Sequence, residues 1–237
     1  MLSVVIPTFN AEKRLGRALT ALVGPAVRGC VREVIVVDGG SRDGTLSIVD
    51  TAGTKLLKTV CNRGVQLKAG ADAAQSDWLL FLRADTVLDP GWDDEVSRFI
   101  ERVERDYFGT RDMAAVFSFR LDHFSRRARI LEILGSLRCF LFSLPSGDQG
   151  LLIPRSFYAK LGGHAPLPVM EDVELIRRIR RRRLIKLRAH AVSSAEHYER
   201  EGFVARALRN LCLVTLYFMR VPPSLLARLE AKHVHPA

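Results

Sequence analysis

No apolar stretch in these 237 residues is long enough to cross a bilayer. The longest uncharged run near the end is "NLCLVTLYFM", Asn210 to Met219, flanked by Arg206, Arg209 and Arg220. A spanning helix needs about 20 apolar residues. Cysteine is scarce: Cys30, Cys61, Cys139 and Cys212 lie far apart and form no C-x-x-C pair. That argues against a disulfide framework and a thiolate zinc site, and fits a reducing compartment. The opening "MLSVVIPTFN" has neither the basic n-region nor the small-residue cleavage site of a signal peptide. The expectation is a cytoplasmic protein, with contact at a membrane surface left open. Low-complexity segments, flexible linkers and internal repeats are also missing.

Two further absences narrow the chemistry. The first strand-to-helix turn, "PTFNAEKRL", contains no glycine. A dinucleotide fold needs G-x-G-x-x-G there and a P-loop needs G-x-x-x-x-G-K-[ST], so dehydrogenases and P-loop NTPases drop down the list. A sugar-phosphate nucleotidyltransferase also wants a Gly-rich basic loop at this point. The net charge of +10 suits anionic partners. Its densest patch, "RRIRRRR" from Arg177 to Arg183, has no aromatic residues interleaved. Single-strand nucleic acid binding would need such a stacking platform, so no nucleic-acid partner is expected. A solvated helix face comes first for this run, and membrane-surface contact next.

What is present is an alternation. "LSVVIP", "REVIVVD" (Arg32 to Asp38), "TKLLKTV" and "WLLFL" (Trp78 to Leu82) read as buried strands. Helical patterns separate them, which implies an α/β fold with a mostly parallel sheet and helices on both faces. "AAVFSFRL" reads as a later strand, Arg126 to Phe142 as a long helix, and "MEDVELIRRIRRRR" as a helix that opens on acids. In such sheets ligands bind beyond the carboxyl ends of the strands. Glu12, Asp38 and Asp85 all fall at or just past those ends.

Each acid has a plain reading and a chemical one. Asp38, in "VVDGGSRDGT", is a turn former or a carboxylate that accepts from a ribose hydroxyl or a base. Asp43 can cap the next helix. Asp85, in "RADT", is a helix cap or a ligand for a hard divalent cation, which needs only one or two protein carboxylates. In "MEDVE", Glu171 and Asp172 are helix-capping acids, or one of them faces a cleft as a general base. Their directions on a helix differ, so only one is expected in the cleft.

Together, "SVVIPTFNAE", "VVDGGSRDGT", "LLFLRADT" and "GDQGLLI…MEDVEL" resemble the family 2 glycosyltransferases of GT-A fold, in the family's order, across residues 2 to 190. Within that family the chain is most similar to small bacterial transferases linked to arsenosugar biosynthesis. The resemblance implies an inverting transfer from a UDP- or GDP-type sugar donor to an acceptor hydroxyl, small-molecule or lipid-linked. It implies that Pro7, Thr8, Asn10, Glu12, Asp38 and Ser41 line the nucleotide pocket. Lys68, Arg63 and Arg83 become candidates for the diphosphate. Asp85 would hold Mg²⁺ or Mn²⁺, with His197 as a further ligand. Gly147, Asp148 and Gln149 would shape the acceptor side. Asp172, paired with Glu171, would be the catalytic base.

The first acid of the family's D-x-D is Arg83 here, where the most similar transferases usually carry histidine. An arginine can pair with a diphosphate directly, so Arg83 also keeps a different class open: a non-catalytic, basic nucleotide- or membrane-surface-binding protein on the same fold. The expected organisation is one catalytic domain over residues 1–200, with a nucleotide-binding half at 1–112 and an acceptor half at 113–200. A helical segment follows at 201–237. Packing on the domain, a homodimer and contact with a membrane surface are the roles open to it.

Overall fold

The computed structural model describes residues 1–105, 112–123, 125, 129, 147–196 and 202–234. The chain opens with strand β1 (Leu2–Thr8), helix α1 (Glu12–Val27), strand β2 (Val31–Asp38), helix α2 (Thr45–Thr51) and strand β3 (Lys55–Lys58). Helix α3 (Arg63–Ala73), strands β4 (Trp78–Phe81) and β5 (Thr86–Leu88), helix α4 (Trp92–Arg105) and strand β6 (Ala114–Leu121) follow. After a 3-10 turn at Gly147–Gln149 come strand β7 (Leu151–Pro154) and helices α5 (Arg155–Lys160) and α6 (Glu171–Ile179). A second 3-10 turn (Arg181–Arg183), strand β8 (Leu184–Ser193) and helices α7 (Phe203–Phe218) and α8 (Pro223–Val234) complete the order.

The strands form one sheet, ordered β3-β2-β1-β4-β7-β6-β8-β5. The first four run parallel, and so do β6 and β8. β7 is antiparallel to β4 and β6, and β5 is antiparallel to β8. The uninterrupted apolar strands are explained by burial on both faces. Leu2, Val4, Ile6, Trp78 and Leu80 enter one core with α1 and α4. Val5, Val37, Leu79 and Phe81 enter the other with α3, α5 and α6. Each such side chain, fully buried, contributes about 1.5–3 kcal/mol. Gly70 lets α3 lie directly on the sheet, since a Cβ there would stand 2.3 Å from Val5 Cγ1.

Two strands escape the pattern reading. β5 is only three residues long. β8 follows a helix that stops earlier than expected: α6 ends at Ile179, and Arg180 takes φ 65, a conformation no α-helix continues through. The arginine run is therefore a helix end, a break and a turn leading into a strand, and not one helical face. The long helix expected over Arg126 to Phe142 lies outside the described residues.

The segment between α5 and α6 is fixed from two sides. Gly64 N–H donates to Leu167 O at 3.1 Å, and Asn62 Nδ2 donates to Pro166 O at 3.3 Å. From behind, Leu213 of α7 and Leu226 of α8 bury Val169, with Met170, Leu216 and Tyr217 packed around them. The C-terminal helices thus pack on the residues that lead into α6. A Cβ on Gly64 would meet Ala165 O at 2.0 Å and Leu167 N at 2.8 Å. Gly64→Ala is expected to cost about 1–3 kcal/mol by overpacking, read as a fall of at least about 2 °C in the melting midpoint. An unchanged midpoint would show that this contact does not fix the segment.

Candidate active site

Helix α1 has no capping side chain of its own at Ala11. Its first N–H groups are satisfied by the loop after β2. Asn10 N–H donates to Ser41 Oγ at 2.9 Å, Ala11 N–H to Thr45 Oγ1 at 2.8 Å, and Glu12 N–H to Asp43 Oδ2 at 3.1 Å. In the other direction, Asn10 Oδ1 accepts from Arg42 N–H at 2.9 Å and Glu12 Oε2 from Gly44 N–H at 3.1 Å. The two loops are cross-braced, and Asn10 takes φ 48, which asparagine tolerates.

Asp38, 1% exposed, sits beneath this brace. It accepts from Gly40 and Ser41 N–H at 2.8 Å each, from Thr8 Oγ1 at 3.2 Å and from Ser41 Oγ. Burial acts to raise this carboxyl's pKa, but the Ser41, Gly40 and Thr8 donors outweigh it and hold it below the usual range. Four donors occupy the roughly four lone-pair directions of a carboxylate. Asp38 organises the loop, and Asn10, Gly40 and Arg42 around it are exposed. Below, Gln66 Nε2 donates to Thr8 O and Val37 O at 2.8 Å each, tying the ends of β1 and β2 together. Pro7 is paired across the sheet with Val37, one residue short of the loop.

The end of β4 meets a different neighbour. Because β7 is antiparallel to it, Phe81 pairs with Leu151. The residues after Phe81 therefore lie beside those before Leu151. Arg83 Nε lies 3.0 Å from Asp85 Oδ1 and 3.1 Å from Asp148 Oδ1, and Arg83 Nη2 donates to Asp85 Oδ2 at 3.3 Å. Burial works to raise the Asp85 carboxyl's pKa; the Arg83 guanidinium overcomes it and holds Asp85 well below the usual carboxylate range. Two carboxylates from neighbouring strand ends thus share one cation. Mg²⁺ and Mn²⁺ sites of this class use one or two carboxylates and fill the shell with water and phosphate oxygens, so the donor set fits. Among the described residues no larger His, Cys, Asp and Glu group could hold a metal.

Arg63, Arg83, Gly147, His164, Glu171 and Asp172 line one cavity of about 50 Å³. The expectation that Glu171 and Asp172 diverge, with one in the cleft, is not met: both line this cavity. They are the first residues of α6, where Met170 at φ 62 turns the chain. Glu171 reaches inward, and its Oε1 accepts from Arg63 Nη1 at 3.3 Å. Asp172 leans on Gly147, where a Cβ would stand 2.9 Å from its Oδ2. Its Oδ1 accepts from Val173 N–H at 2.8 Å.

The remaining expected residues are dispersed. Lys68 pairs with Asp72 at 3.2 Å on the outward side of α3, away from this cavity. Gln149 is 1% exposed and donates to Phe117 O at 2.9 Å, so it anchors the turn from inside. His197 lies outside the described residues. Pattern reading missed Gln66 and the pair Tyr158–His164, in which Tyr158 Oη accepts His164 N–H and meets His164 Nδ1, both at 2.9 Å. No motif marks either one. Burial depresses the His164 pKa to about 3, which keeps the ring neutral beside Arg178.

Glu171 is 1% exposed, and its Oε2 has no partner among the described residues. Burial raises its carboxyl from 4.5 to about 7, against the pull of Arg63. The folded state then keeps a proton that the unfolded chain has released, so stability falls as pH rises between 4.5 and about 7. Glu171→Gln removes that loss. Its melting midpoint relative to the unsubstituted chain is expected to rise between about pH 5 and about pH 8. A difference independent of pH would show an ordinary carboxyl.

Over 120 residues the chain is 31% identical to undecaprenyl-phosphate 4-deoxy-4-formamido-L-arabinose transferase of Aeromonas hydrophila, a match to 45% of this chain and 35% of that protein. It is 34% identical over 95 residues to a PGL/p-HBAD biosynthesis glycosyltransferase of Mycobacterium bovis, covering 37% of this chain and 36% of that one. The chain therefore spans only about a third of the length of these relatives. S. aureus TarS shares the fold with a TM-score of 0.63 at 16% identity, over 95% of this chain and 68% of that one. Glucosyl-3-phosphoglycerate synthase of Mycobacterium tuberculosis, in complex with Mn²⁺, UDP and phosphoglyceric acid, gives 0.58 at 19%, over 79% and 68%. The fold is GT-A. The family model for glycosyl transferase family 2 matches residues 3–144, more than half of the chain, and the chain belongs to that family.

Proposed function

We propose that this chain moves a sugar from a UDP- or GDP-type donor to an acceptor hydroxyl, with inversion at the anomeric carbon. The observation that carries the reading is the meeting in one cavity of a carboxylate, Asp172, with two guanidinium groups, Arg63 and Arg83. In direct displacement the acceptor oxygen bonds to the anomeric carbon as the bond to the diphosphate oxygen breaks. Asp172 takes the hydroxyl proton. Arg63 and Arg83 face the charge that develops on the leaving diphosphate. The braced loops after β1 and β2, with Thr8, Asn10, Glu12, Asp38 and Ser41, form the nucleotide side.

Asp85 is the residue that would hold Mg²⁺ or Mn²⁺, the ions bound by the mycobacterial structures of this fold. When bound, such an ion supplies Lewis-acid stabilisation of the diphosphate. A non-catalytic basic protein is the less favoured reading, because it gives no role to the carboxylate of Asp172 in the cavity that Arg63 and Arg83 line. The narrower resemblance to arsenosugar-linked transferases stays a resemblance of sequence.

A lipid-linked acceptor is the finer reading for the acceptor class, and the undecaprenyl-phosphate relative motivates it. The surface agrees. Leu208, Leu211 and Phe218 are 60%, 58% and 46% exposed at helical spacing along α7, and Met219, just past its end, is 71% exposed. The Arg177 guanidinium lies 5.1 Å from the centre of the Phe218 ring. An apolar stripe edged by arginine is the composition that lies in an anionic membrane interface.

Two outcomes check these readings. Asp172→Asn is expected to lower UDP or GDP release from nucleotide sugars, with acceptor present, by about 10²–10⁴-fold, while calorimetric binding of the nucleotide stays within about two-fold. Turnover that survives the substitution removes Asp172 from the role of base. In sedimentation with vesicles, the chain is expected to pellet with phosphatidylglycerol and not with phosphatidylcholine, and Leu211→Ser with Phe218→Ser to release it. A chain that stays in the supernatant with both lipids has no such surface.

A further inference from the structure

The family motif places one acid at position 85 and expects another at position 83, which here is arginine. The sheet supplies a replacement. The antiparallel register that pairs Phe81 with Leu151 carries the turn Gly147–Gln149 alongside the residues after β4. Asp148 arrives within 3.1 Å of the same Arg83 Nε that Asp85 meets at 3.0 Å. Both carboxylates therefore face the position that the Arg83 Nε occupies, and a cation that takes the guanidinium's place meets both acids.

We infer that Asp148 is the second carboxylate of the divalent-cation site, and that Arg83 is the resident cation holding Asp85 and Asp148 together until the metal arrives with the nucleotide. The inference rests on the transferase reading for the nucleotide and for Asp85 as the residue that holds the metal.

Exposure supports the arrangement. The side chains of Asp85 and Asp148 are 10% and 18% exposed, and that of Arg83 is 31% exposed. The acids are the more buried members of the triad and the guanidinium the more exposed one. Charge balance points the same way. Asp85 and Asp148 bring two carboxylates to the single guanidinium of Arg83, while Arg63 is taken up by Glu171. Two carboxylates sharing one guanidinium leave that triad with an excess negative charge, which a further cation would balance before a diphosphate approaches. A divalent ion displacing Arg83 from the acids neutralises them and frees the guanidinium to pair bidentately with phosphate oxygens. Two carboxylates are also enough, since Mg²⁺ and Mn²⁺ complete their shells with water and phosphate. Asp148 then belongs with the donor, and not with the acceptor side to which the sequence resemblance gave it.

The test reads metal binding directly. Mn²⁺ is titrated by electron paramagnetic resonance into the full chain and its variants, without any sugar donor. The unsubstituted chain is expected to bind Mn²⁺ weakly, because Arg83 competes. Arg83→Ala is expected to tighten binding at least about tenfold, the worth of a charge-assisted pair. Asp148→Asn placed on Arg83→Ala is expected to remove that gain, as is Asp85→Asn. A gain that survives Asp148→Asn, or no gain in Arg83→Ala while circular dichroism shows a folded chain, overturns the inference. A second titration uses UDP and GDP with Mn²⁺ or with chelator. Binding that is equally tight in chelator and lost in Arg83→Ala also overturns it, and gives the whole diphosphate role to Arg83. If Mn²⁺ follows the expected pattern but neither nucleotide binds, the metal site stands and the transferase reading fails.

Discussion

The antiparallel pairing of β7 with β4 is the constraint on which the site depends. Four parallel strands alone would give only a platform of cross-braced loops after β1 and β2, with Gln66 beneath them. Reversing direction at the next strand brings a turn from far along the chain, Gly147–Gln149, to the carboxyl end of β4. That single reversal places Asp148 against Arg83 and Gly147 against Asp172. The Arg83 side and the Asp172 side of the candidate site are thereby set by one hydrogen-bonded register.

The C-terminal helices act on the same place from behind. They bury Val169, next to the left-handed Met170 that opens α6. A non-glycine residue at positive φ is held only where its surroundings over-determine it. Here the packing of Leu213 and Leu226 and the docking of the preceding segment on Gly64 supply that restraint. Glu171, the first residue after the turn, is forced into a position that raises its pKa by burial. Polar strain of this kind, kept at a cavity and offset by packing elsewhere, is common where activity competes with stability.

The sequence by itself determined the elements whose physics is local. Short apolar runs rich in β-branched residues and bounded by turn signals read as strands covered on both faces, and the alternation with helices leaves few topologies open. The acids at strand ends, Asp38 and Asp85, and the acidic start of α6 were legible because a charge beside a buried strand is costly without a purpose. What pattern could not carry was the break at Arg180 and the strand after it. A run of arginines has no periodicity of its own, so the backbone turn is set by the sheet that β8 completes.

Only the tertiary structure decided which of those residues meet. Asp38 reads equally well as a ligand-facing acid, yet four internal donors claim it. Lys68 reads as a cation for phosphate, yet it faces outward and pairs with its own helix. Glu171 and Asp172 read as divergent, yet a turn at the start of the helix brings both to one cavity. The reason is the same in each case. Helical and strand periods fix direction over a few residues, whereas a site joins side chains separated by tens of residues. Their distances depend on strand order and register, which no short stretch of this chain encodes.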